Sequence, residues 1–409
     1  MQKKPELLSP AGGREQLEAA VRFGADAVYL GSGRFNMRAA ASLGPDALAG
    51  AVSFAHENGV RVYLVCNTLP SCEEADALPD FLSAARSAGV DALIAADLGV
   101  MALARRIVPE IPLHVSTQAG VVNHLTASAL HELGATRVVL ARELSLAEIR
   151  RIRENTPPGL ELEAFVHGAM CMSVSGRCLL SNYLTGRDAN RGACAQPCRW
   201  SYRLVEEKRP GQYFPVGEDG RGSYILNAND LCMIEHVGEL AEAGVSSFKI
   251  EGRAKSSYYT ASVTAAYRAA LDAWMQRGEP PPWALEEVGK VSHRPYSTGF
   301  YFGAPGQNAA FGGSLCGWEV LAMAEGWSDG VLEVSLRNRF SRGEEAELLL
   351  PHESPRPLSV TALEDVGEGA VETACHPMRR YRIPCPFPVP PGAWLRRRIT
   401  GENEGNGMI

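Results

Sequence analysis

The feature that most constrains the fold is a repeated unit, in which an amphipathic helical segment ends in glycine and a short apolar segment follows at once. The unit recurs through the first 250 residues, with its glycine at Gly24, Gly59, Gly89, Gly134 and Gly244. Glycine adopts the left-handed conformation that closes a helix C-terminus at little steric cost. The unit therefore predicts helices alternating with strands, an order typical of parallel strands joined by helical crossovers.

Eight strands are predicted from this pattern, near residues 6–9, 27–31, 60–66, 92–96, 113–117, 137–141, 160–166 and 246–250. Eight strand–helix units in about 250 residues are typical of a closed (β/α)8, TIM-like barrel. An open doubly wound sheet is the alternative architecture. No Gly-x-Gly-x-x-Gly follows the first strand, so a dinucleotide-binding crevice is not predicted.

One interval between predicted strands is much longer than a helical return requires. The seventh strand ends near His167 and the eighth begins near Ser246, which leaves a cysteine-rich insertion over residues 169–228. Its second half is typical of a hairpin, with arms at 200–205 and 223–227. Loops that follow barrel strands build the functional face of such barrels, so we expect the insertion to be functional.

The pattern changes after the eighth strand. A helix is predicted over 255–277, and from Trp318 short strands follow one another with no helix between them. This order predicts a small antiparallel β-barrel domain. The predicted organisation is therefore a barrel domain over 1–283, a linker over 284–317, a C-terminal β domain over 318–399 and a disordered tail over 400–409.

The overall composition argues against several classes of protein. The net charge is −7, which gives no global sign of nucleic-acid binding. No run of about 18 apolar residues is present to cross a membrane, and the first residues do not form an apolar signal region, so we expect a cytoplasmic location. In that reducing compartment the ten cysteines are not expected to form structural disulfides.

The insertion gathers four cysteines with the spacing C-x6-C-x15-C-x3-C, and a fifth follows it; they are Cys171, Cys178, Cys194, Cys198 and Cys232. Clustered thiolates suit a soft metal centre. Structural zinc sites use closely spaced pairs of cysteines, so we predict an iron–sulfur cluster, with zinc as the second choice. Cys171, Cys178 and Cys194 are the expected ligands, and the fourth is either Cys198 or Cys232.

Polar residues at or just beyond the predicted strand ends are the candidates for a site at the barrel mouth. We predict catalytic roles for Gln118, His167, Lys249, Glu251 and Arg253, and binding roles for Asn67, Arg142 and Arg177. Lys249 and Glu251 alternate with Phe248 and Ile250, so one of these pairs should face the barrel interior. The alternative is that these charges only satisfy one another in a polar barrel core.

Two groups of arginines are candidates for RNA contact. The insertion contains Arg177, Arg187, Arg191, Arg199 and Arg203, and the β domain contains Arg379, Arg380, Arg382, Arg396, Arg397 and Arg398. RNA binding requires local positive charge and surfaces on which bases can stack. The alternative is ordinary solvated charge, and an anionic small molecule would need only two or three of the insertion arginines.

Several segments resemble one known family, the peptidase U32 family. Leu7–Gly12 and Gly24–Tyr29 are similar to its sequences, and Glu163–Cys171, continuing through Ser175–Cys178, resembles its signature. Ser247–Arg253 resembles the end of its barrel. The resemblance covers about residues 1–300, and the C-terminal β domain resembles the one that longer members carry.

The resemblance implies several properties. The family is named for a collagenase-like protease activity, and other members are RNA or quinone hydroxylation proteins with a 4Fe–4S cluster. This sequence looks most like the branch that hydroxylates the wobble uridine of tRNA at its 5-position, a branch linked to prephenate. The implied partners are tRNA, a prephenate-like anionic small molecule as substrate, and an electron-transfer protein. The fourth ligand matches Cys198 in the tRNA branch and Cys232 in a quinone-hydroxylating relative.

Two other functions stay open. One is a U32-type peptidase, for which Ser173, Ser175 and Ser181 lie near His167 in the sequence. Neither His-Glu-x-x-His nor Gly-x-Ser-x-Gly is present, so no common hydrolytic motif supports it. The other is a non-catalytic iron–sulfur partner of another enzyme.

Overall fold

The computed structural model describes residues 4–38, 41–170, 180–187, 194–197, 200, 203–205, 213–215, 229–303, 305 and 314–399. The chain divides into two compact units. The first contains Met1–Arg14, Asp26–Ala254 and Arg294–Ser314, and the second contains Glu15–Ala25, Lys255–His293 and Leu315–Ile409. The segment 284–317, which we predicted as a linker, is thus divided between the two units.

Eight parallel strands of the first unit close into a barrel. Each pairs with the next along the sheet, and the eighth pairs with both the seventh and the first. The predicted barrel is confirmed, and the open sheet is wrong. The strands of this unit are β1 (Glu6–Ala11), β2 (Ala27–Leu30), β3 (Arg61–Cys66), β4 (Ala92–Ala95), β5 (Leu113–Val115), β6 (Ala135–Val139), β7 (Glu161–Gly168), β8 (Arg203–Val205), β9 (Tyr213–Pro215), β10 (Asp230–Cys232), β11 (Ser247–Ile250) and β12 (Tyr296–Ser297). The barrel consists of β1–β7 and β11.

Helices alternate with the barrel strands along the chain, as predicted. In chain order the described helices are α1 (Arg14–Arg22), α2 (Leu48–Glu57), α3 (Cys72–Ala75), α4 (Leu78–Ala88), α5 (Leu98–Ile107), α6 (His124–Glu132), α7 (Leu146–Glu154), α8 (Leu180–Thr185), α9 (Val237–Glu242), α10 (Ser257–Met275) and α11 (Pro282–Glu287). Gly134, between α6 and β6, shows why glycine recurs before strands. Its φ is +96°, and a Cβ atom there would lie 2.6 Å from Nε of Arg105. The backbone angle therefore favours glycine, whereas the Arg105 side chain could shift to make room for a Cβ atom.

Two short strands extend the sheet beyond the barrel. β10 pairs antiparallel with β7, and β12 pairs parallel with β10. Buried Asp230 and Arg294 tie them together, with Arg294 Nη2 2.7 Å from Asp230 Oδ1. We did not predict these strands, because segments of two or three residues are too short to show an alternating pattern.

The insertion contains a short hairpin within the described residues. β8 pairs antiparallel with β9, which places Arg203 opposite Pro215. β8 overlaps the first predicted arm, 200–205, whereas the second predicted arm, 223–227, lies outside the described residues.

The second unit contains α1, α10, α11 and an antiparallel sheet. The sheet order is β17-β16-β22-β13-β14-β21-β18-β19, which confirms an antiparallel C-terminal domain. Its strands, with β15 and β20 as a separate pair, are β13 (Trp318–Ser328), β14 (Val331–Leu336), β15 (Phe340–Ser341), β16 (Glu345–Leu349), β17 (Arg356–Ser359), β18 (Glu364–Asp365), β19 (Gly369–Ala370), β20 (Thr373–Ala374), β21 (Arg380–Pro384) and β22 (Trp394–Arg398).

The arginines of β21 and β22 are buried or paired with acidic side chains to an extent that the sequence does not indicate. From the sequence, these arginines are candidates for RNA contact, with ordinary solvated charge as the alternative. Arg396 is fully buried, so for this residue the RNA-contact prediction is wrong. Arg397 pairs with Glu319 at 2.7 Å and Arg380 pairs with Glu333 at 3.0 Å, so cross-strand ion pairs absorb much of the charge.

Within the described ranges, no helix is long and apolar enough to cross a membrane.

Candidate functional site

A pocket opens at the carboxyl ends of the barrel strands and holds about 660 Å³ of empty space, including the part open to solvent. It brings together six residues predicted from the sequence, which are Asn67, Gln118, Arg142, Lys249, Glu251 and Arg253. It also contains residues that we did not predict, chiefly Tyr29, Arg38 and Phe165. The expectation that loops and strand ends would build a site at this face is met for these residues.

Lys249 forms part of the pocket floor. Its Nζ atom donates a hydrogen bond to Glu163 Oε1 at 2.7 Å and lies 4.4 Å from the centre of the Tyr29 ring. Burial acts to raise the pKa of Glu163, but Lys249 and Arg137 outweigh it and hold that pKa below its ordinary value. Lys249 of β11 and Glu251, which directly follows that strand, therefore both face the pocket, and Phe248 is buried on the other face.

Glu251 is the carboxylate of the pocket wall. Its oxygens lie 3.6 Å from Arg38 Nη2 and 3.7 Å from Arg142 Nη2, and the Tyr29 hydroxyl donates to it at 3.4 Å. Burial acts to raise the pKa of Glu251, but Arg38 and Arg142 outweigh it, so the pKa is lowered. Glu251 is thus ionised near neutral pH and offers negative charge rather than a proton.

Arg253 is almost completely buried at the pocket edge. Its Nη1 atom donates to Asn36 Oδ1 at 3.3 Å. A Cβ atom at Gly31 would lie 2.6 Å from Asn36 Cγ and 2.9 Å from Arg253 Nη1. Only glycine at position 31 therefore leaves room for this pair without rearrangement.

Arg142 stacks on an aromatic ring and reaches the start of the insertion. Its guanidinium carbon lies 3.8 Å from the centre of the Phe165 ring, and its Nη1 atom donates to the Ala169 carbonyl at 2.6 Å. Its Nε atom is buried and lacks a hydrogen-bond partner within the part of the chain that the structure describes. A buried donor without a partner is uncommon in folded proteins, and a group bound at the pocket could supply the missing acceptor.

Amides line the opposite side of the pocket. Asn67 accepts a hydrogen bond from the Met37 N–H at 3.2 Å and donates to the Ser116 hydroxyl at 3.3 Å. Gln118 lies in a 3-10 turn over Thr117–Ala119, directly after β5. Sequence reasoning found both residues because they follow strand ends. It missed Tyr29 and Phe165 because they lie within apolar strands, and Arg38 because it lies well beyond β2.

His167 is buried outside the pocket lining. Its Nε2 atom lies 3.3 Å from the Tyr296 hydroxyl, and its carbonyl accepts from the Glu251 N–H at 2.9 Å. In the sheet it stands opposite Cys232 of β10. It therefore links the pocket strand β11 to the cysteine-bearing edge, and its catalytic role stays a prediction.

The predicted cysteine ligands are described only in part. Cys171, Cys178 and Cys198 lie outside the described residues, as does Arg177. Cys194 accepts a hydrogen bond from the Gln196 N–H, with 3.3 Å between nitrogen and sulfur, an interaction of the kind that tunes iron–sulfur sites. Within the described ranges no group of three His, Cys, Asp or Glu side chains is placed to hold a metal ion, and the cluster stays a prediction.

The fold and the pocket define a β/α-barrel protein with a polar, cation-rich site at the carboxyl ends of its strands. Peptidase family U32 matches residues 12–310, and the C-terminal domain of that family matches residues 317–396. The chain therefore belongs to the peptidase U32 family.

Relatives that carry different functional names are similar to this chain in sequence. The tRNA hydroxylation protein P1 of Bacillus subtilis is 35% identical over 405 residues, which cover 97% of this chain and 95% of that protein. The 23S rRNA 5-hydroxycytidine C2501 synthase of Escherichia coli is 38% identical, over 70% of this chain and 42% of that protein. The collagenase of Porphyromonas gingivalis is 36% identical, over 73% of each.

Proposed function

We propose that this protein acts in hydroxylation of RNA, specifically in 5-hydroxylation of the wobble uridine of tRNA. The observation that carries the proposal is the barrel-mouth pocket, where four cationic side chains surround one carboxylate. The likeness in sequence to a tRNA hydroxylation protein over nearly the whole chain supports it, as does the likeness of 70% of the chain to an rRNA hydroxycytidine synthase.

The pocket charges favour an anionic small molecule as co-substrate. Arg38, Arg142 and Arg253 line the pocket together with Lys249, and Glu251 is the carboxylate among the lining residues. Charge-assisted hydrogen bonds from guanidinium groups to carboxylates are among the stronger ones in proteins. A prephenate-like dicarboxylate fits this excess of positive charge, with Asn67 and Gln118 available to its neutral polar groups.

A 4Fe–4S cluster is the second part of the proposal, held by Cys171, Cys178 and Cys194 with either Cys198 or Cys232. The hydrogen bond to the Cys194 sulfur and the half-buried position of Cys232 beside His167 are compatible with ligand roles. Such a cluster supplies electron transfer, which calls for a redox partner protein.

A peptidase is less favoured by the described residues. Ser181, one of the serines considered as a nucleophile, is fully buried. Its hydroxyl donates to the Arg187 carbonyl at 2.7 Å and accepts from the Ala195 N–H at 3.0 Å. Both bonds stabilise local structure, and neither partner is a general base that would activate a nucleophile.

The test is complementation of a Bacillus subtilis strain whose tRNA hydroxylation is disrupted. We expect this chain to restore 5-hydroxyuridine, measured by mass spectrometry of tRNA nucleosides. Arg142→Met should abolish the restoration, because it removes the guanidinium at the pocket wall. Arg151→Met, at an exposed position of α7, is the matched control and should restore it fully.

Iron and sulfide analysis of anaerobically purified protein tests the cluster in the same variants. Replacing Cys194 by serine should remove the iron. Cys198→Ser and Cys232→Ser are compared with each other, and the variant that loses iron identifies the fourth ligand. Zinc in place of iron contradicts the redox proposal, and unchanged hydroxyuridine on complementation contradicts the proposed function.

A further inference from the structure

The pocket floor rests on a buried ion pair, of which only the lysine lines the pocket. Glu163 of β7 has no exposed surface, and its Oε1 atom accepts the hydrogen bond from Lys249 Nζ at 2.7 Å. Lys249 is also the pocket-lining residue of this pair. The ammonium group is thus held from below while its other side faces the pocket.

Glu163 is in turn fixed by the barrel interior. Its Oε2 atom lies 3.0 Å from Arg137 Nη1, which also donates to Glu6 Oε1 at 2.6 Å. Tyr63 donates to the second oxygen of Glu6 at 2.6 Å. Both oxygens of the Glu163 carboxylate therefore have a cationic partner, and these contacts leave the side chain little freedom.

Such a network is costly to bury. Replacing buried ion pairs by well-packed apolar residues often leaves stability unchanged or improves it, because the desolvation of each charge is expensive. Stability alone therefore does not explain why β6, β7 and β11 each place a charge at this level of the barrel. The network reaches the pocket through Lys249, which points to a role at that surface.

We propose that Glu163 is a positioning residue, which holds the Lys249 ammonium charged and fixed at the floor of the pocket for an anionic ligand. This proposal rests on the proposed function, because it assumes that the pocket binds an anionic ligand. Without Glu163, the flexible lysine side chain would retain Arg137 as a like-charged neighbour. The titratable and charged groups around the ammonium are Tyr29, His114, Arg137, Glu163 and Glu251.

The reactivity of Lys249 tests the positioning directly. Only a neutral amine reacts with acetic anhydride, and loss of a counter-charge beside a cation disfavours the charged form. In the Glu163→Gln variant we expect acetylation of Lys249 at pH 8, measured by peptide mass spectrometry, to rise about tenfold or more. Lys290 is the internal reference, since it is buried and paired with Glu347 at 2.8 Å, and its acetylation should not change.

Glu161→Gln is the matched control. Glu161 lies on the same strand and accepts from Arg137 Nη2 at 2.6 Å, but Lys249 bonds to Glu163. We expect Lys249 acetylation and hydroxyuridine formation to stay at wild-type levels in this control, and hydroxyuridine to fall at least tenfold in Glu163→Gln. If Glu163→Gln is not recovered folded, Glu163→Asp replaces it, because the shorter side chain moves the carboxylate away from Nζ while keeping its charge.

Unchanged Lys249 acetylation in the Glu163 variant overturns the proposal, and so does raised acetylation with undiminished hydroxyuridine. A parallel rise at Lys290 also overturns it, because that result reports general loosening. If the unsubstituted chain restores no hydroxyuridine, the proposed function fails, whereas the acetylation comparison still decides whether Glu163 holds Lys249.

Discussion

At the scale of single residues, the pocket depends on close approaches that leave no spare volume. Arg253 reaches the edge of the pocket because Gly31 has no side chain, and Asn36 occupies the same space. The guanidinium carbon of Arg142 lies 3.8 Å from the centre of the Phe165 ring, a distance at which the ring attracts the cation. The ligand-facing charges are therefore held by packing as well as by hydrogen bonds.

Replacing Gly31 by alanine should disturb the pocket more than the fold. The added Cβ would meet Asn36 and Arg253 within 3 Å, and such overpacking costs about 1–3 kcal/mol. We expect hydroxyuridine formation in the complementation assay to drop several-fold. Gly44→Ala is the control, because nothing lies within 4 Å of its Cβ position. Full activity of Gly31→Ala would show that the pocket does not need Arg253 in its present position.

At the scale of elements, strand β22 shows how a charged sequence can be a buried one. Arg396 lies in this central strand with no exposed surface. Its Nη2 atom is 2.6 Å from Glu287 Oε2, and its Nη1 atom donates to the Tyr258 hydroxyl at 2.9 Å. The strand thus carries an ion pair where a hydrophobic residue would be the usual choice.

Arg396→Met should strongly destabilise the protein. It leaves the fully buried Glu287 without its guanidinium partner, a change that typically costs about 3–5 kcal/mol. Urea unfolding of the full chain, followed by circular dichroism, measures the effect. Arg398→Met, at an exposed position of the same strand, should change the unfolding free energy by less than about 0.5 kcal/mol. Equal changes in unfolding free energy for the two variants would contradict the claim that Arg396 stabilises the protein by pairing with buried Glu287.

Adding Glu287→Gln to Arg396→Met should recover part of the lost stability. Removing the second charge leaves no uncompensated carboxylate in the interior. A double variant no more stable than Arg396→Met would mean that packing of the arginine, rather than its charge, carries the effect.

At the scale of the whole molecule, the barrel has charges where most barrels have apolar layers. Glu6, Glu163 and Glu251 come from distant positions in the sequence and lie in one unit, Glu6 and Glu163 on Arg137 and Glu251 at the pocket. Burial acts to raise their pKa values, but neighbouring arginines and Lys249 outweigh it and hold all three pKa values below the ordinary 4.5.

Acid should therefore destabilise the barrel. A carboxyl whose pKa is lower in the folded than in the unfolded state stabilises the fold above the unfolded pKa, and that contribution is lost as the pH falls through the folded value. We expect the urea midpoint to begin to fall below about pH 6.5, because burial lowers the pKa of His114 and the unfolded state then binds a proton that the fold does not. The midpoint should fall further below about pH 5, where the carboxyls of the unfolded chain become protonated. Buried pairs are poorly screened, so the decline should persist in about 1 M salt. If salt abolishes the decline of the urea midpoint, surface charges rather than the buried pairs are its cause.

The barrel could be predicted because its signals are local. A helix that ends in glycine before an apolar strand can be recognised in any stretch of about ten residues, and eight strand–helix units are typical of a closed barrel. The site was predicted in part for a similar reason. Asn67, Gln118 and Arg142 follow strand ends, and in parallel strands these ends share one face. Their predicted roles still await experiment.

The sequence by itself determined the alternation of helices and strands, the antiparallel C-terminal domain and the residues at the strand ends, because each depends on neighbours along the chain. Only the tertiary structure decided that Glu163 holds Lys249, that Gly31 makes room for Arg253 and that Arg396 is buried. Those outcomes depend on which side chains, distant in the sequence, come into contact. Charges that pair over a few ångströms in space produce no periodic pattern in the sequence.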